Sequence, residues 1–524
     1  MQKIKENCLK KTLSVLIVIA LFFFTRLIRI TSLPVFADEA IYIRWSQIIK
    51  NIETLRFIPL TDGKQPLFMW LVVPFLSYIS NPLIAGRLVS VLSGFLNIVF
   101  LFLTTNLLLY KNNKHANPIN LIIDSIKANF YPSLLSSIIY ILLPFTLFFD
   151  RLATPDNLLS AFSLIAIFLT ILQSKYYRLD ISIILATTLG LAWITKSPAL
   201  YFIAISTAFL LANLFINKNN QKIKGLFHIL LVPTISFIIY NLLKLGPQFH
   251  MIALRNKDYI WPLSEILKHP LDPFKPHLMA AFNVYKYFLS WPFIILFPIS
   301  LILSIKNKKY KTITPPVIYV FLTFLAPLLA TTSMAKVFTG RYILFTITPL
   351  ILILVSLLSG STKTPKLPRF FIPLIFILIF TPNIIKANKI IFSPFDLNLP
   401  DTEAGYINDW TAGWGLKDIS DYLIDRSKHA NVIVGTEGAF GTLPDGLQIY
   451  TDSVPRLTII GQGVHLSQIP ASLLEANQYG DEVYLLINSD RHFLDVSELN
   501  KMEVIDTYTR PDQTELVLYE LKPI

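Results

Sequence analysis

Residues 13–45 read LSVLIVIALFFFTRLIRITSLPVFADEAIYIRW. The first part of this stretch is an apolar run of about 18 residues, which is long enough to cross a bilayer. Two adjacent carboxylates, Asp38 and Glu39, follow almost immediately. Ionisable groups at the edge of a membrane are candidates for function, because placing them near lipid is costly. The segment ADEAIYIRWSQIIKN (37–51) separates its apolar and charged residues onto different faces, which predicts a helix lying on the membrane surface.

The composition is that of a membrane protein with many spans. Of the 524 residues, 53% are hydrophobic and only 15% are charged, and the mean hydropathy is +0.56. The lone cysteine, Cys8, excludes an intrachain disulfide and a cysteine-based zinc site. The net charge of +13 is spread over short loops, which argues against nucleic acid as a partner. Apolar runs predict eleven spans, at about 13–30, 85–109, 131–149, 154–173, 181–195, 198–216, 226–243, 284–304, 314–332, 342–359 and 370–386.

One short apolar segment, 66–80, determines the predicted orientation. It is either a twelfth span or a helix at the outer surface. If it stays at the surface and the N-terminus is cytoplasmic, five lysine-rich loops lie in the cytoplasm: 111–127, 175–178, 218–224, 306–311 and 363–369. If it spans, all five face outward, against the positive-inside rule. We therefore predict a multi-pass protein of the plasma membrane with a C-terminus outside the cytoplasm.

The chain is predicted to have two domains. Residues 1–390 form an all-α polytopic membrane domain of about eleven transmembrane helices, with juxtamembrane helices on its outer face and a first outer loop at 31–84. Residues 391–524 are more polar and predict a small extracytoplasmic α/β domain. Its expected helix is 415–429, and its expected strands are 431–437, 447–452, 456–461, 482–488, 503–508 and 515–521.

In this orientation the charged residues near the outer surface form a mixed set: Asp38, Glu39, Arg44, Lys64, Arg151, Asp156, Lys196, Lys336 and Arg341. Transfer of a group from a lipid-anchored phosphate would use such a set. Cations hold the phosphate through charge-assisted hydrogen bonds, and a carboxylate accepts a proton from the attacking acceptor. For glycosyl transfer, phosphate is a good leaving group, so one basic carboxylate suffices where a glycosidase needs two. The second carboxylate would orient the first or hold a divalent cation.

Six motifs, in order and spacing, resemble those of the C-type membrane glycosyltransferases: ADEAIY (37–42), GKQPLFMWL (63–71), AGRLVS (85–90), DRLATPDNLL (150–159), GLAWITKSPA (190–199) and GRYILFTITPL (340–350). Within that group the chain is most similar to the dolichyl-phosphate-mannose–protein mannosyltransferase superfamily, which includes the bacterial transferase that places aminoarabinose on lipid A. The resemblance covers about residues 30–390. It implies inverting transfer of a sugar from a polyprenyl-phosphate donor to an extracytoplasmic acceptor, which is a lipid, a glycan or a protein.

The resemblance also implies residue roles. Asp38 would be the catalytic base, and Glu39 would support it or hold a metal. Lys64 and Arg341 would bind the donor phosphate. The remaining matched positions are Lys196 and Arg151, also assigned to the donor phosphate, and Arg87, Asp156 and Tyr342, as further site candidates. Gln65 departs from the family pattern, which usually has proline there.

Structural roles are alternatives for each position. Asp38 and Glu39 could favour a helix N-terminus, and Lys64 could snorkel to headgroups. Arg151, Lys196 and Arg341 could anchor span ends, Asp156 could cap a helix, and Arg87 could form a structural ion pair. Beyond these positions, His250, His269 and His277 are more typical of solvated residues than of metal ligands, and Trp410 and Trp414 of packing than of sugar stacking.

Other functions remain open from the sequence. A lipid-linked oligosaccharide polymerase or ligase would use the same site to move a whole glycan. A transporter or flippase would favour polar residues in mid-span and internal repeats, which the sequence lacks. A receptor would need a larger cytoplasmic output domain than the short inner loops provide.

Overall fold

The computed structural model describes residues 2–111, 117–216, 222–306, 314–360 and 371–523. The lysine-rich loops of the predicted cytoplasmic side therefore lie partly outside the described residues, at 112–116, 217–221, 307–313 and 361–370. The described residues up to Phe392 are mostly helical. Their helices are α1 Gln2–Leu27, α2 Ala37–Asn51, α3 Leu67–Tyr78, α4 Pro82–Leu109, α5 Pro118–Leu142, α6 Pro144–Asp150, α7 Pro155–Tyr176, α8 Leu179–Trp193, α9 Ala199–Ile216, α10 Lys222–Tyr240, α11 Met251–Tyr259, α12 Leu263–Lys268, α13 Phe274–Leu289, α14 Trp291–Lys306, α15 Pro315–Met334, α16 Ile347–Gly360 and α17 Phe371–Phe392.

The chain is a multi-pass membrane protein. Among the described residues, seven helices are long and apolar enough to cross a bilayer, and two bent pairs would raise the number to nine. Each predicted span coincides with a helix or a bent pair, but α8 has only 15 residues and is shorter than a usual span. The total of eleven and the orientation therefore stay predictions. Helix α3 has 12 residues, about 18 Å of helix, too short to be a twelfth span.

Two predicted spans are broken rather than continuous. The predicted span 131–149 bends by 65° between α5 and α6, where α6 begins with Pro144, a residue with no N–H to continue the preceding helix. The predicted span 284–304 bends by 104° between α13 and α14. Ser290, at the break, has φ of 67°, which no helix accommodates.

The C-terminal region is an α/β domain with a five-stranded sheet. Its strands, β3 Val432–Thr436, β4 Leu457–Gly461, β5 Glu482–Asn488, β6 Met502–Thr509 and β7 Glu515–Leu521, lie in the order β4-β3-β5-β7-β6. Strands β4, β3 and β5 are parallel, and β5, β7 and β6 are antiparallel. The helices are α18 Leu416–Ser427, α19 Asp445–Thr451, α20 Ala471–Gln478 and α21 Val496–Leu499. The predicted helix and five predicted strands are confirmed, but the predicted strand 447–452 is wrong: it belongs to helix α19.

The two regions are joined by a small sheet as well as by the chain. Strand β1, Val35–Phe36, pairs antiparallel with β2, Ala412–Gly413, in the register Phe36↔Ala412. Helix α2 also packs on α19, where Gln47 donates to the carbonyl of Ile449 at 2.8 Å. The C-terminal domain therefore contacts the segment that carries Asp38.

Candidate active site

Glu39 holds the start of α2 in place. Arg87 of α4 donates to both of its carboxylate oxygens, at 2.9 and 2.8 Å. The backbone N–H groups of Ala153 and Phe36 donate to the same carboxylate at 2.6 and 3.1 Å. Arg87 and Glu39 are both fully buried. Glu39 therefore has the helix-capping role that was the structural alternative, because it accepts the N–H of Phe36, the residue before α2.

Arg87 completes this anchor from the other side. Its remaining N–H groups donate to the carbonyls of Ile30, Leu33 and Pro34 at 2.7, 3.1 and 3.0 Å. The guanidinium therefore ties the turn after α1 to α4 and uses all five of its donors. Arg87 is a structural residue of the site, and it presents no free donor to a substrate.

The predicted catalytic and metal-binding roles of Glu39 do not fit this arrangement. Its oxygens are occupied by four donors and are shielded from solvent, so it has neither a free lone pair for a cation nor access to a substrate. Across the described residues, no group of three or more His, Cys, Asp and Glu side chains could hold a metal ion. His277, one of the histidines considered for such a site, lies within 3.3 Å of the carbonyl of Thr332 and stacks on Phe338. Glu39 therefore offers no ligand to a divalent cation.

Asp38 lies one residue before Glu39 and faces a different environment. Its carboxylate forms an ion pair with the guanidinium of Arg341. The side chains of Asp38 and Arg341 are 23% and 13% exposed, so the pair borders open space. The guanidinium also lies 5.6 Å from the ring of Phe36 and 5.4 Å from that of Tyr342, and its Nε has no hydrogen-bond partner. Arg341 therefore keeps one buried N–H group without a partner beside the Asp38 ion pair.

Lys64 lies on the segment between α2 and α3. It follows a turn at Gly63, where φ is 67° and a Cβ atom would lie 2.8 Å from the Cβ of Arg255, so that the turn requires glycine. Its ammonium donates to the hydroxyl of Tyr259 at 3.1 Å and lies 4.4 Å from the centre of that ring. Asp62, 3.9 Å from Lys64, is balanced by Arg255 at 2.6 Å. The lysine is held by protein contacts and does not simply extend to headgroups.

The departure at Gln65 has a structural explanation. Its side-chain amide donates to the hydroxyl of Ser197 at 2.7 Å, and the N–H of Leu67 donates to the carbonyl of Ile194 at 3.2 Å. These bonds join the Lys64 loop to the α8–α9 connection, which carries Lys196.

Lys196 and Asp156 form the other ion pair of the site, with Nζ and Oδ1 2.5 Å apart. Asp156 is almost fully buried, and its second oxygen has no hydrogen-bond partner. The Lys196 ammonium lies 4.7 Å from the centre of the Tyr342 ring, so Tyr342 packs against both Lys196 and Arg341. The residue that precedes α7 is Thr154, not Asp156. Asp156 is therefore the ion-pair partner of Lys196 and not the cap of this helix.

The charges of these groups interact. Burial raises the pKa of the Asp38 carboxyl, but Arg341 and Lys64, with a smaller effect of Lys196, outweigh it and hold the pKa below its usual value. Burial has the largest single effect on Lys64 and lowers its pKa, but Asp38, Tyr259 and Asp62 together outweigh it, so the pKa lies above its usual value. For Lys196, burial has the largest effect and lowers the pKa despite Asp156. The three cations Lys64, Lys196 and Arg341 and the two carboxylates Asp38 and Asp156 leave a net positive charge, which suits an anionic ligand.

Arg151 does not join this cluster, and its predicted contact with the donor phosphate does not fit its position. It is fully buried and donates to the carbonyls of Thr25, Arg26 and Ile28 at 3.1, 3.0 and 2.8 Å, and also to that of Arg29. These carbonyls lie in the last turn of α1, which ends at Leu27, and in the turn that follows it, where a cation is favourable. Arg151 is therefore a helix-capping residue.

Several residues near the site could not be selected from the sequence. Tyr259 is the last residue of α11 and is marked by no motif. Glu403 and Tyr406 lie beyond the last span, about 60 residues after Arg341, yet Glu403 binds the backbone beside Arg341 and the ring of Tyr406 lies 4.3 Å from that of Phe36. The sequence offered one signal for these two residues: an acid and an aromatic residue lie close together in DTEAGY (401–406).

Comparison with known proteins finds relatives by structure only. No family model and no curated protein matches the chain. The crystal structure of ArnT from Cupriavidus metallidurans bound to undecaprenyl phosphate matches with a TM-score of 0.59 at 13% identity, over 97% of each chain. The apo form of ArnT matches with a TM-score of 0.55 at 12% identity, again over 97% of each chain.

A second match is the archaeal oligosaccharyltransferase AglB from Archaeoglobus fulgidus, in complex with an inhibitory peptide and a dolichol-phosphate. Its TM-score is 0.50 at 11% identity, over 91% of this chain and 70% of AglB. At identities this low the likeness concerns the fold. The chain has the fold of the C-type membrane glycosyltransferases.

Proposed function

We propose that this protein is an inverting glycosyltransferase that moves a sugar from a polyprenyl-phosphate donor to an acceptor outside the cytoplasm. The observation that carries the proposal is the cluster itself. Asp38, Lys64, Lys196 and Arg341 come from four segments spread over 300 residues, and their charges meet in one partly open site. The solved structures of the same fold support it, since one holds undecaprenyl phosphate and another a dolichol-phosphate.

In this proposal the Asp38 carboxylate has one chemical role. Asp38 is partly exposed and ionised at neutral pH, since its pKa lies below the usual value. It accepts a proton from the acceptor hydroxyl or amine as that group attacks the anomeric carbon of the sugar. The new bond forms on the face opposite the departing phosphate, so the anomeric configuration inverts. A base in hydrogen-bond reach of the acceptor contributes a factor of about 10²–10⁴ to the rate.

The cations act on the leaving group. As the bond between the anomeric carbon and the phosphate oxygen breaks, negative charge grows on the phosphate that stays with the lipid. Lys64, Lys196 and Arg341 stabilise that charge, and a guanidinium can do so through two parallel hydrogen bonds. No carboxylic acid is needed to protonate the departing oxygen, which agrees with the paired state of Asp156.

Transfer of a whole glycan is the second candidate reaction, because the fold is shared with an oligosaccharyltransferase. In both reactions the phosphate site is the same, and the two differ in the size of the group transferred.

The experiment that tests the proposal uses purified full-length protein in nanodiscs. It is incubated with a panel of polyprenyl-phosphate monosaccharides and lipid-linked oligosaccharides, with an envelope extract as acceptor, and free lipid phosphate is measured. We expect release from at least one monosaccharide donor and loss of release in the Asp38→Asn variant. Release from oligosaccharide donors alone would favour the second candidate, and release from none would refute the proposed function.

A further inference from the structure

The segment that follows α17 returns to the active site before it enters the C-terminal domain. Residues Asp401–Tyr406 form a short 3-10 helix, and within it Glu403 is fully buried. A buried carboxylate is costly unless its oxygens are well paired. The partners of Glu403 therefore indicate what the segment does.

Two of those partners are the residues directly before Arg341. The N–H of Gly340 donates to the Glu403 carboxylate at 2.5 Å, and the hydroxyl of Thr339 lies 3.1 Å from both of its oxygens. The backbone is tightly packed here, because a Cβ atom at position 340 would lie 2.9 Å from Val284 and 3.2 Å from Cδ of Glu403. A shift of Glu403 would therefore move the backbone from which Arg341 projects.

The same segment also holds the partner of Arg341. The N–H of Ala37, next to Asp38, donates to the carbonyl of Thr411 at 3.0 Å. Phe36 pairs with Ala412 in the small sheet and packs on Tyr406. One stretch, residues 403–412, therefore contacts the backbone on both sides of the Asp38–Arg341 ion pair.

The ionisation of Glu403 agrees with a role beyond packing. Burial raises the pKa of its carboxyl to about 7, although hydrogen bonds from Gly340, Thr339 and Thr402 and the charge of Arg341 act in the opposite direction. A well-packed apolar residue would avoid this cost. The presence of a carboxylate at position 403 is thus explained by its bonds to Thr339 and Gly340, and not by a gain in the stability of the fold.

We propose that Glu403 is a positioning residue for Arg341, and that residues 403–412 make the start of the C-terminal domain a structural part of the active site. The inference rests on the proposed function, because it assigns Arg341 to the donor phosphate. It adds a residue outside the six family motifs and gives the C-terminal domain a role in the membrane-embedded reaction.

The test is a double-mutant cycle on binding of undecaprenyl phosphate to the full chain in nanodiscs, without any sugar or acceptor. Arg341→Ala is expected to weaken binding about tenfold, the usual range for loss of one charge-assisted contact. Glu403→Ala is expected to weaken it about fivefold by displacing Arg341, but to add less than about twofold in the Arg341→Ala background. Glu403→Gln should recover most of the binding, because its amide oxygen still accepts the N–H of Gly340.

Two further variants keep the test decisive. Glu437→Ala is the matched control: Glu437 is also a buried acid of the C-terminal domain that accepts a backbone N–H, from Asn488 at 2.9 Å, and its loss should leave binding unchanged. If Glu403→Ala fails to fold, Thr339→Val removes one hydrogen bond to Glu403 with little change of volume. It should weaken binding about twofold to threefold, in the range of one lost hydrogen bond, and only where Arg341 is present.

The outcomes separate the two proposals. Normal binding by Glu403→Ala, or an equal loss with and without Arg341, would overturn the positioning role while leaving the phosphate site intact. No binding of undecaprenyl phosphate by the wild-type protein would overturn the proposed function and the inference with it.

Discussion

Replacing Asp38 by asparagine separates its role as a base from its role as a partner of Arg341. The amide has the shape of the carboxylate and can still accept a hydrogen bond from Arg341, but it cannot take a proton. Loss of a general base predicts a fall in turnover of about 10²–10⁴-fold. Asp38 also competes with any phosphate for Arg341 and Lys64, whose charges lower its pKa. Removing that competitor should leave the affinity for undecaprenyl phosphate unchanged or higher.

The control for this variant lies on the same helix. Arg44 of α2 pairs with Asp452 at 2.7 Å, with side chains 22% and 25% exposed, close to the 13% and 23% of Arg341 and Asp38. Asp452→Asn therefore removes an equally exposed carboxylate next to α2 but outside the site. Such pairs contribute about 0–1 kcal/mol, so its turnover should stay near wild type.

The assay follows single-turnover release of lipid phosphate, alongside binding of undecaprenyl phosphate and the thermal unfolding midpoint. Turnover by Asp38→Asn within about threefold of wild type would refute the role of Asp38, because it falls far below the contribution of a general base. A loss of turnover matched by an equal loss of binding or of folded protein would also count against it.

Three other perturbations test neighbouring parts of the account. Lys64→Ala should raise the apparent KM for donor by about tenfold, as for loss of one charged contact, with a smaller change in kcat; an unchanged KM would mean that Lys64 only holds Tyr259. Glu39→Ala should lower the free energy of unfolding by about 3–5 kcal/mol, because it leaves Arg87 buried and unpaired. A variant that is stable but inactive would instead indicate that Glu39 takes part in catalysis. Glu403 has its pKa raised to about 7, so the folded protein binds its proton more tightly than the unfolded chain and stability falls as pH rises from about 4.5 to 7, by about 3 kcal/mol. Thermal midpoints of Glu403→Gln and wild type should therefore diverge in favour of the variant between pH 5 and pH 8, and parallel curves would show that Glu403 does not titrate in this range.

The sequence predicted the membrane domain and the four central residues for a common reason. Asp38, Lys64, Lys196 and Arg341 each lie where an apolar segment begins or ends, and helices packed side by side bring such junctions to the same end of the bundle. Few charged residues are available there, so the pattern indicated the cluster without knowledge of the packing. The alternating pattern of 447–452 gave a wrong strand because short apolar segments fit both a strand and a buried helix.

What the sequence could not supply was the partner of each charge. Glu39 is adjacent to Asp38 and of the same chemical type, yet it is paired with Arg87 in the interior. Arg151 resembles Arg341 as a cation beside a span, but the carbonyls at the end of α1 bind it. Whether such a residue faces the site or is buried in a structural pair depends on contacts between helices that are distant along the chain. Neither the local sequence pattern nor the residue type reports those contacts.

The most direct test of the central claim is the position of the phosphate of undecaprenyl phosphate in a density map of the wild-type protein in nanodiscs. We predict phosphate oxygens within hydrogen-bond distance of Arg341 and Lys64, with the Asp38 carboxylate beside them. A phosphate bound elsewhere on the protein, with the Asp38–Arg341 pair shielded from it, would contradict the account.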